Sequence, residues 1–261
     1  MSQIIRLISI SEIAEEDRLM SRAGSGVRRR VRKIVQSFGY DIRAVDAYSQ
    51  KRPIDFIRSR QIDVVVDVGA NTGQYAGKLR ESGYRGWIIS LEPVLATFQL
   101  LKAHAAGDSR WTTLQTALGR DSGTATINVS EASVFSSIRK QAPAATNFNR
   151  EARVVAQEII DIQRLDDLFP KLPRGRRFLK IDTQGFEKDV LEGGRECLAR
   201  FAGVQMELPI RHLYQDVWHF DEAVSFMRAL GFGISNIIPI SYDHDDPASL
   251  LEVDCIFRRL Q

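Results

Sequence analysis

The stretch VVVDVGANTGQYA, residues 64–76, constrains the fold of this chain more than any other. Val64, Val65, Val66 and Val68 make a β-branched run of the kind that packs as a strand buried on both faces. The run stops at Gly69 and Gly73, and a helical pattern over 72–82 starts at once. A buried strand that turns directly into a helix opens a βα unit, which predicts an α/β, doubly wound, largely parallel sheet. Ligands of such sheets sit at the carboxyl ends of the strands, so Asp67, Gly69, Asn71, Thr72 and Gly73 are candidate binding residues.

The rest of the chain repeats this rhythm. Further strands are expected over Trp87–Leu91, 112–116, Arg177–Ile181, 203–207, 233–238 and 253–257, with helices over 94–106, 186–192 and 221–230. Between Gly119 and Arg177 the rhythm breaks. TATINVS reads as an extra strand, the next twenty residues as a polar loop, and VVAQEIIDI as a return to strand character, an insertion suited to facing a substrate. The core starts near residue 53, which divides the chain into an extension, 1–52, and a domain, 53–261. Trp87 and Trp111 begin strands and are expected in the core, with Tyr84 packed at a helix end.

Charge and cysteine content narrow the function. A net charge of +3 is too small to argue for a nucleic-acid partner. Residues 22–33 nevertheless carry six cations and no acid. With Val27, Val31, Ile34, Val35 and Phe38 they form an amphipathic pattern over 22–38 suited to peripheral contact with an anionic membrane surface or to a solvated cap. No run resembles a spanning segment or a secretory signal, so the expected compartment is the cytoplasm, with the inner membrane face as a candidate contact. Cys197 and Cys255 stand far apart without a CxxC or Cys/His cluster, reading as packed thiols, and no metal site is expected. No motif encodes an oligomeric state.

The glycine spacing argues about the ligand. A dinucleotide loop would read GxGxxG; here it is Gly69-Ala70-Asn71-Thr72-Gly73, and Asp67 just before it suits a cationic amino group better than a diphosphate. Glu92, about 20 residues beyond the loop at the end of the second strand, is placed to accept hydrogen bonds from ribose hydroxyls. Ala117 and Leu118, in TALG, offer a small apolar surface for an adenine edge, and Asp182 follows the fourth strand in FLKIDTQGFEKDVLEGG.

Together, DVGANTG, LEP, TALG and KIDTQGFEKDVLEGG resemble the FkbM-type methyltransferases, over roughly residues 53–258. That resemblance implies a class I methyltransferase (Rossmann-like) fold of seven strands, the last antiparallel, and S-adenosyl-L-methionine as cofactor. It implies that Gly69, Asn71 and Gly73 hold the methionine part, Glu92 the ribose, and Ala117 with Leu118 the adenine. It further implies an O-methyltransferase acting on a hydroxyl of a small molecule, glycan, glycolipid or other natural product. Many relatives read KIDVEG where this chain has Thr183 and Gln184, which weakens any metal at that corner.

Methyl transfer to a hydroxyl needs a base at the strand ends. Asp182 and Glu207 qualify by position. His212, in QMELPIRHLYQD with Tyr214, qualifies by its near-neutral titration. Ser136 and Ser137, in VFSSIRK, fall where members of the resembled family also carry small hydroxyl residues, which reads either as a cofactor or acceptor contact or, more simply, as a polar serine-rich insertion; His219 and His244 read as surface residues. Two other classes remain open at this point: an NAD-linked oxidoreductase, and a non-catalytic cofactor-binding or scaffold protein.

Overall fold

A computed structural model describes residues 47–140, 152–211, 217–243 and 246–260, with side chains from residue 52 onward. The basic segment 22–38, His212, Tyr214 and His244 lie outside these residues. Ser49–Gln261 form one compact unit. Its elements are α1 (Ala47–Ser59), β1 (Val64–Val68), α2 (Gln74–Glu81), β2 (Trp87–Leu91), α3 (Leu95–His104), β3 (Trp111–Leu114), β4 (Ala117–Leu118) and β5 (Gly123–Ser130). Then follow β6 (Val154–Gln163), α4 (Leu165–Leu168), β7 (Arg177–Ile181), α5 (Glu187–Glu192), β8 (Phe201–Pro209), α6 (Phe220–Ala229), β9 (Phe232–Tyr242) and β10 (Leu250–Arg259).

Seven strands form the main sheet in the order β3-β2-β1-β7-β8-β10-β9. The pairs from β3 through to β8 are parallel, and β10 runs antiparallel to both neighbours. This is the class I methyltransferase architecture, with the last strand reversed. Because β2 and β3 build outward on one side of β1 and β7 pairs on the other, the topological switch point falls between β1 and β7.

Period-two alternation assigns each strand residue to a face. Val64, Val66, Val68, Leu179, Ile181, Val204 and Met206 pack in one cluster with α4, α5 and α6. Val65, Ile88 and Phe178 pack on the other face with Phe56 and Ile57 of α1 and with Ala76 and Leu79 of α2. Both faces are covered, which is why β1 reads as an unbroken apolar run around Asp67.

The structure departs from the sequence reading in places. The third strand is shorter than expected and shifted, Trp111–Leu114, because Ala117–Leu118 leaves the main sheet. That pair joins β6 and β5 in a separate three-stranded sheet, order β4-β6-β5, so the insertion is a second small sheet. Strands β8, β9 and β10 run longer than read. Trp111 and Trp87 each begin a strand, yet Trp111 is buried whereas Trp87 is 37% exposed. Tyr84 is half-buried beneath the Arg80 guanidinium. Cys197 and Cys255 are buried and free. His219 is exposed and caps the start of α6.

Candidate active site

The turn after β1 is built from its own sequence. Gly69 (φ 71°), Asn71 (φ 49°) and Gly73 (φ 91°) all adopt left-handed backbone, a region open to glycine and tolerated by asparagine. The Gly69 and Ala70 N–H groups both donate to the Leu91 carbonyl, at 3.0 and 2.9 Å, which ties the turn to the end of β2. Across the switch point, a Cβ at Gly69 would fall well inside van der Waals contact of the Asp182 carbonyl oxygen. Only glycine lets β1 and β7 approach this closely at their carboxyl ends.

A matching turn follows β7. Gln184 (φ 55°) and Gly185 (φ 97°) are left-handed. The buried Glu187 carboxylate holds them: its Oε1 accepts from the Thr183 N–H, the Thr183 hydroxyl and the Gly185 N–H, at 3.0, 3.0 and 3.1 Å. The Ser137 hydroxyl donates to the Gln184 carbonyl at 2.6 Å, which brings the insertion against the turn. Gln184 then aims its Nε2 at Asp182 Oδ1 (2.9 Å) and Glu207 Oε1 (3.4 Å).

These turns open onto a cavity of about 330 Å³, a size suited to a small-molecule ligand. Strand order divides it. On the β1–β2 side it is lined by Gly69, Asn71 and Glu92, with Thr116, Ala117 and Leu118 nearby; on the β7–β8–β10–β9 side by Asp182, Gln184, Glu207, Glu252 and Ser241. Ser133–Ser136 and Ile138 of the insertion supply a wall. Ser136 lines the cavity, whereas Ser137 is buried in the turn contact.

Glu92 is buried, and its two oxygens accept from the Val94 and Asn71 N–H groups at 3.0 Å each. A carboxylate has roughly four acceptor positions, so both oxygens keep capacity toward the cavity. Burial pushes Glu92 up to about 7, against the two N–H bonds and Lys180, with Asp67 adding to the rise. Adenosyl ribose hydroxyls donate best to the ionised form. The affinity for S-adenosylhomocysteine is therefore expected to be full above pH 7 and to fall below it, by about tenfold between pH 8 and pH 6, in calorimetric titrations.

The acidic side behaves as one group. Burial, followed by the charges of Asp182, Glu252, Asp254 and Glu187, raises Glu207 well above the usual carboxylate range. Burial and then Asp182 raise Glu252 as well, while its Oε2 accepts from Ser241 at 2.8 Å. Asp254 is pushed up to about 6 by burial and Asp182, with Lys180 opposing. Among the described residues no set of three or more His, Cys, Asp or Glu side chains is arranged to hold a metal ion.

Three candidates lie off the cavity. Asp67 is fully buried, and the cation it meets is Lys180, 3.1 Å from its Oδ1, rather than a ligand amino group. Gly73 starts α2 and faces Trp111, Leu101 and His104. Thr72 donates its N–H to Asn71 Oδ1 and does not line the cavity. Glu252, Ser241 and Ser133 line it without having been singled out. Glu252 was legible as an acid in LEVDC, within β10, but only strand order brings it next to Glu207.

The Methyltransferase FkbM domain family matches residues 67–234, well over half of the chain. The protein belongs to this family. It is an S-adenosylmethionine-dependent methyltransferase, and the NAD-linked alternative falls with that membership. The cavity suits the cofactor: a side-chain-free approach at Gly69, a buried carboxylate with spare acceptor capacity, and small or apolar side chains at 116–118. Among solved structures, the methyltransferase is similar to a candidate RNA methyltransferase of Pyrococcus horikoshii at 11% identity and TM-score 0.45, covering 82% of this chain and 84% of that one. It is also similar to a precorrin-6y C5,15-methyltransferase of Geobacter metallireducens (10%, TM-score 0.42, 80% and 87% covered). A third is a TehB-like methyltransferase of Corynebacterium glutamicum (12%, TM-score 0.39, 90% and 96% covered). No curated protein matches the sequence. Among the described residues no helix is long and apolar enough to cross a membrane.

Proposed function

We propose that this methyltransferase acts on oxygen, methylating a sugar hydroxyl in a glycan, glycolipid or other hydroxylated natural product. The observation that carries the reading is the shared cavity: Asp182, Glu207 and Glu252 line the same space as Gly69 and Glu92. Carboxylates are the common partners of neutral hydroxyls and accept their protons, whereas they repel a phosphate-rich acceptor such as nucleic acid.

On this reading Gly69 and Asn71 hold the methionine part of the cofactor, Glu92 its ribose, and Ala117 with Leu118 its adenine. When bound, the cofactor supplies an electrophilic methyl group. Asp182 and Gln184 would orient the acceptor hydroxyl, and Glu207 would take its proton as the C–O bond forms and the methyl C–S bond breaks, the electron pair leaving with the cofactor's sulfur; burial has raised the proton affinity of Glu207. His212 is the second candidate for that proton. Residues 53–261 form the catalytic domain, and 22–38 of the extension contact an anionic membrane surface.

The test uses cofactor carrying a labelled methyl and a panel of defined acceptors: methyl glycosides, nucleotide sugars, aliphatic amines and an RNA oligonucleotide. Label is expected in a sugar methyl ether that survives alkaline hydrolysis. Label in amine or RNA, or none with S-adenosylhomocysteine still bound, would replace the O-methylation reading, the last in favour of a cofactor-binding scaffold.

A further inference from the structure

One transverse row of the main sheet is polar. The register pairs Asp67 of β1 with Lys180 of β7, and Lys180 with Gln205 of β8. By alternation all three share the face of Val65 and Phe178, and all are buried, Lys180 being 7% exposed. Tyr75 of α2 closes the row: its hydroxyl donates to Gln205 Oε1 at 3.1 Å, and its ring centroid stands 5.5 Å from Lys180 Nζ. Gln205 in turn donates to Asp254 Oδ2 at 3.0 Å.

Lys180 Nζ lies 3.1 Å from Asp67 Oδ1, 3.2 Å from the Gly69 carbonyl oxygen and 3.5 Å from Asp182 Oδ2. An ammonium has three N–H donors; here one bonds the Gly69 carbonyl, and the two carboxylates lie within ion-pair distance. The acceptors belong to different parts of the switch point: the end of β1, the cofactor-side turn and the acceptor-side carboxylate. Burial alone would favour the neutral amine, but Asp67 and then Asp182 outweigh it and keep the group charged.

We propose that Lys180 is a positioning residue that locks the cofactor loop to the acceptor-side carboxylate, fixing the Gly69 carbonyl and Asp182 in register across the β1–β7 crevice. It acts through those groups and does not line the cavity. The proposal rests on the cofactor assignment and is independent of the acceptor.

The same row bears on Glu92. The charged groups that act on Glu92 are Lys180 of β7, which favours its ionised form, and Asp67 of β1, which opposes it; the N–H groups of Asn71 and Val94 also favour the ion. Removing either member of the ion pair breaks the same contact, yet the two losses act on Glu92 with opposite sign. Simple structural damage would not.

The experiment measures S-adenosylhomocysteine binding by calorimetry from pH 5.5 to 9 on the wild type, Lys180→Met, Asp67→Asn and the double variant, with thermal melts to report folding. Lys180→Met is expected to bind at least about tenfold more weakly at pH 9 and to move the midpoint of the pH dependence upward. Asp67→Asn is expected to move that midpoint downward. The double variant leaves neither Asp67 nor Lys180 as a buried charge without the other; it is expected to fold, to keep a midpoint near the wild type, and to stay about tenfold weaker at pH 8. Equal or same-direction midpoints in the single variants, or wild-type affinity in the double variant, would overturn the proposal. Should the single variants not fold, the double variant decides it. A wild type that binds no S-adenosylhomocysteine overturns the cofactor assignment and this proposal together.

Discussion

Gly69→Ala is expected to destabilise the protein by about 3 kcal/mol or more and to abolish cofactor binding. Two separate costs add. A left-handed backbone costs a residue with a Cβ about 1–2 kcal/mol. The new methyl group must also displace the Asp182 carbonyl, a backbone atom at the end of a central strand with no flexible side chain to yield. At roughly 2–4 °C per kcal/mol for a domain of this size, the melting temperature should fall by about 6–12 °C. Gly83→Ala is the comparator: φ is +92° there, but nothing lies within 4 Å of its added Cβ, so only the backbone cost of about 1–2 kcal/mol applies. Equal losses in the two variants would show that β1 and β7 are not held in close approach. Cofactor binding fails only in Gly69→Ala, because relief of the clash forces the two lips of the crevice apart.

Glu207→Gln is expected to lower turnover by about 10²–10⁴-fold, the range for removing a general base, while leaving S-adenosylhomocysteine affinity within about threefold. The two readouts separate because Glu207 lies near the carboxyl end of β8, two strands from β1, whereas the cofactor residues follow β1 and β2. The pH dependence has a definite sign. A base works only when ionised, and Glu207 is held protonated to higher pH than an ordinary carboxylate. Wild-type turnover should therefore rise with pH through that ionisation, and the rise should vanish in Glu207→Gln. The substitution also removes a carboxylate that faces Asp182, Glu252 and Asp254, so the fold should be retained. Unchanged turnover on an acceptor found in the screen would exclude Glu207 as the base and move the role to Asp182 or His212.

Much of the fold was legible because its signals are local. A β-branched run ended by glycine, and helices following strands, specify βα units without reference to distant residues. The small sheet was not. Ala117–Leu118 looked like the end of the third strand, and nothing nearby reports that Ile162 and Gln163, some 45 residues on, are its hydrogen-bonding partners. Trp87 shows the same limit, since a large aromatic at the first position of a strand is core or rim according to what packs over it.

The site divides along the same line. Gly69, Asn71 and Glu92 could be named from the chain because their chemistry is set by a turn and one strand end, and all three line the cavity. Asp67 could be recognised as an acid out of place in an apolar strand, but its partner is 113 residues away, and register alone sets it opposite Lys180. Glu207 and Glu252 are separated by all of α6 and β9, yet β8 and β10 are neighbours, and the two carboxyl groups meet: the charge of Glu252 acts on Glu207, and Glu207 hydrogen-bonds Glu252. The sequence by itself determined the α/β class, the cofactor turn and the acid that follows the second strand, because backbone conformation and strand ends are short-range properties. Only the tertiary structure decided which buried charges are paired and which carboxylates share the acceptor side, because strand order and register create those distances.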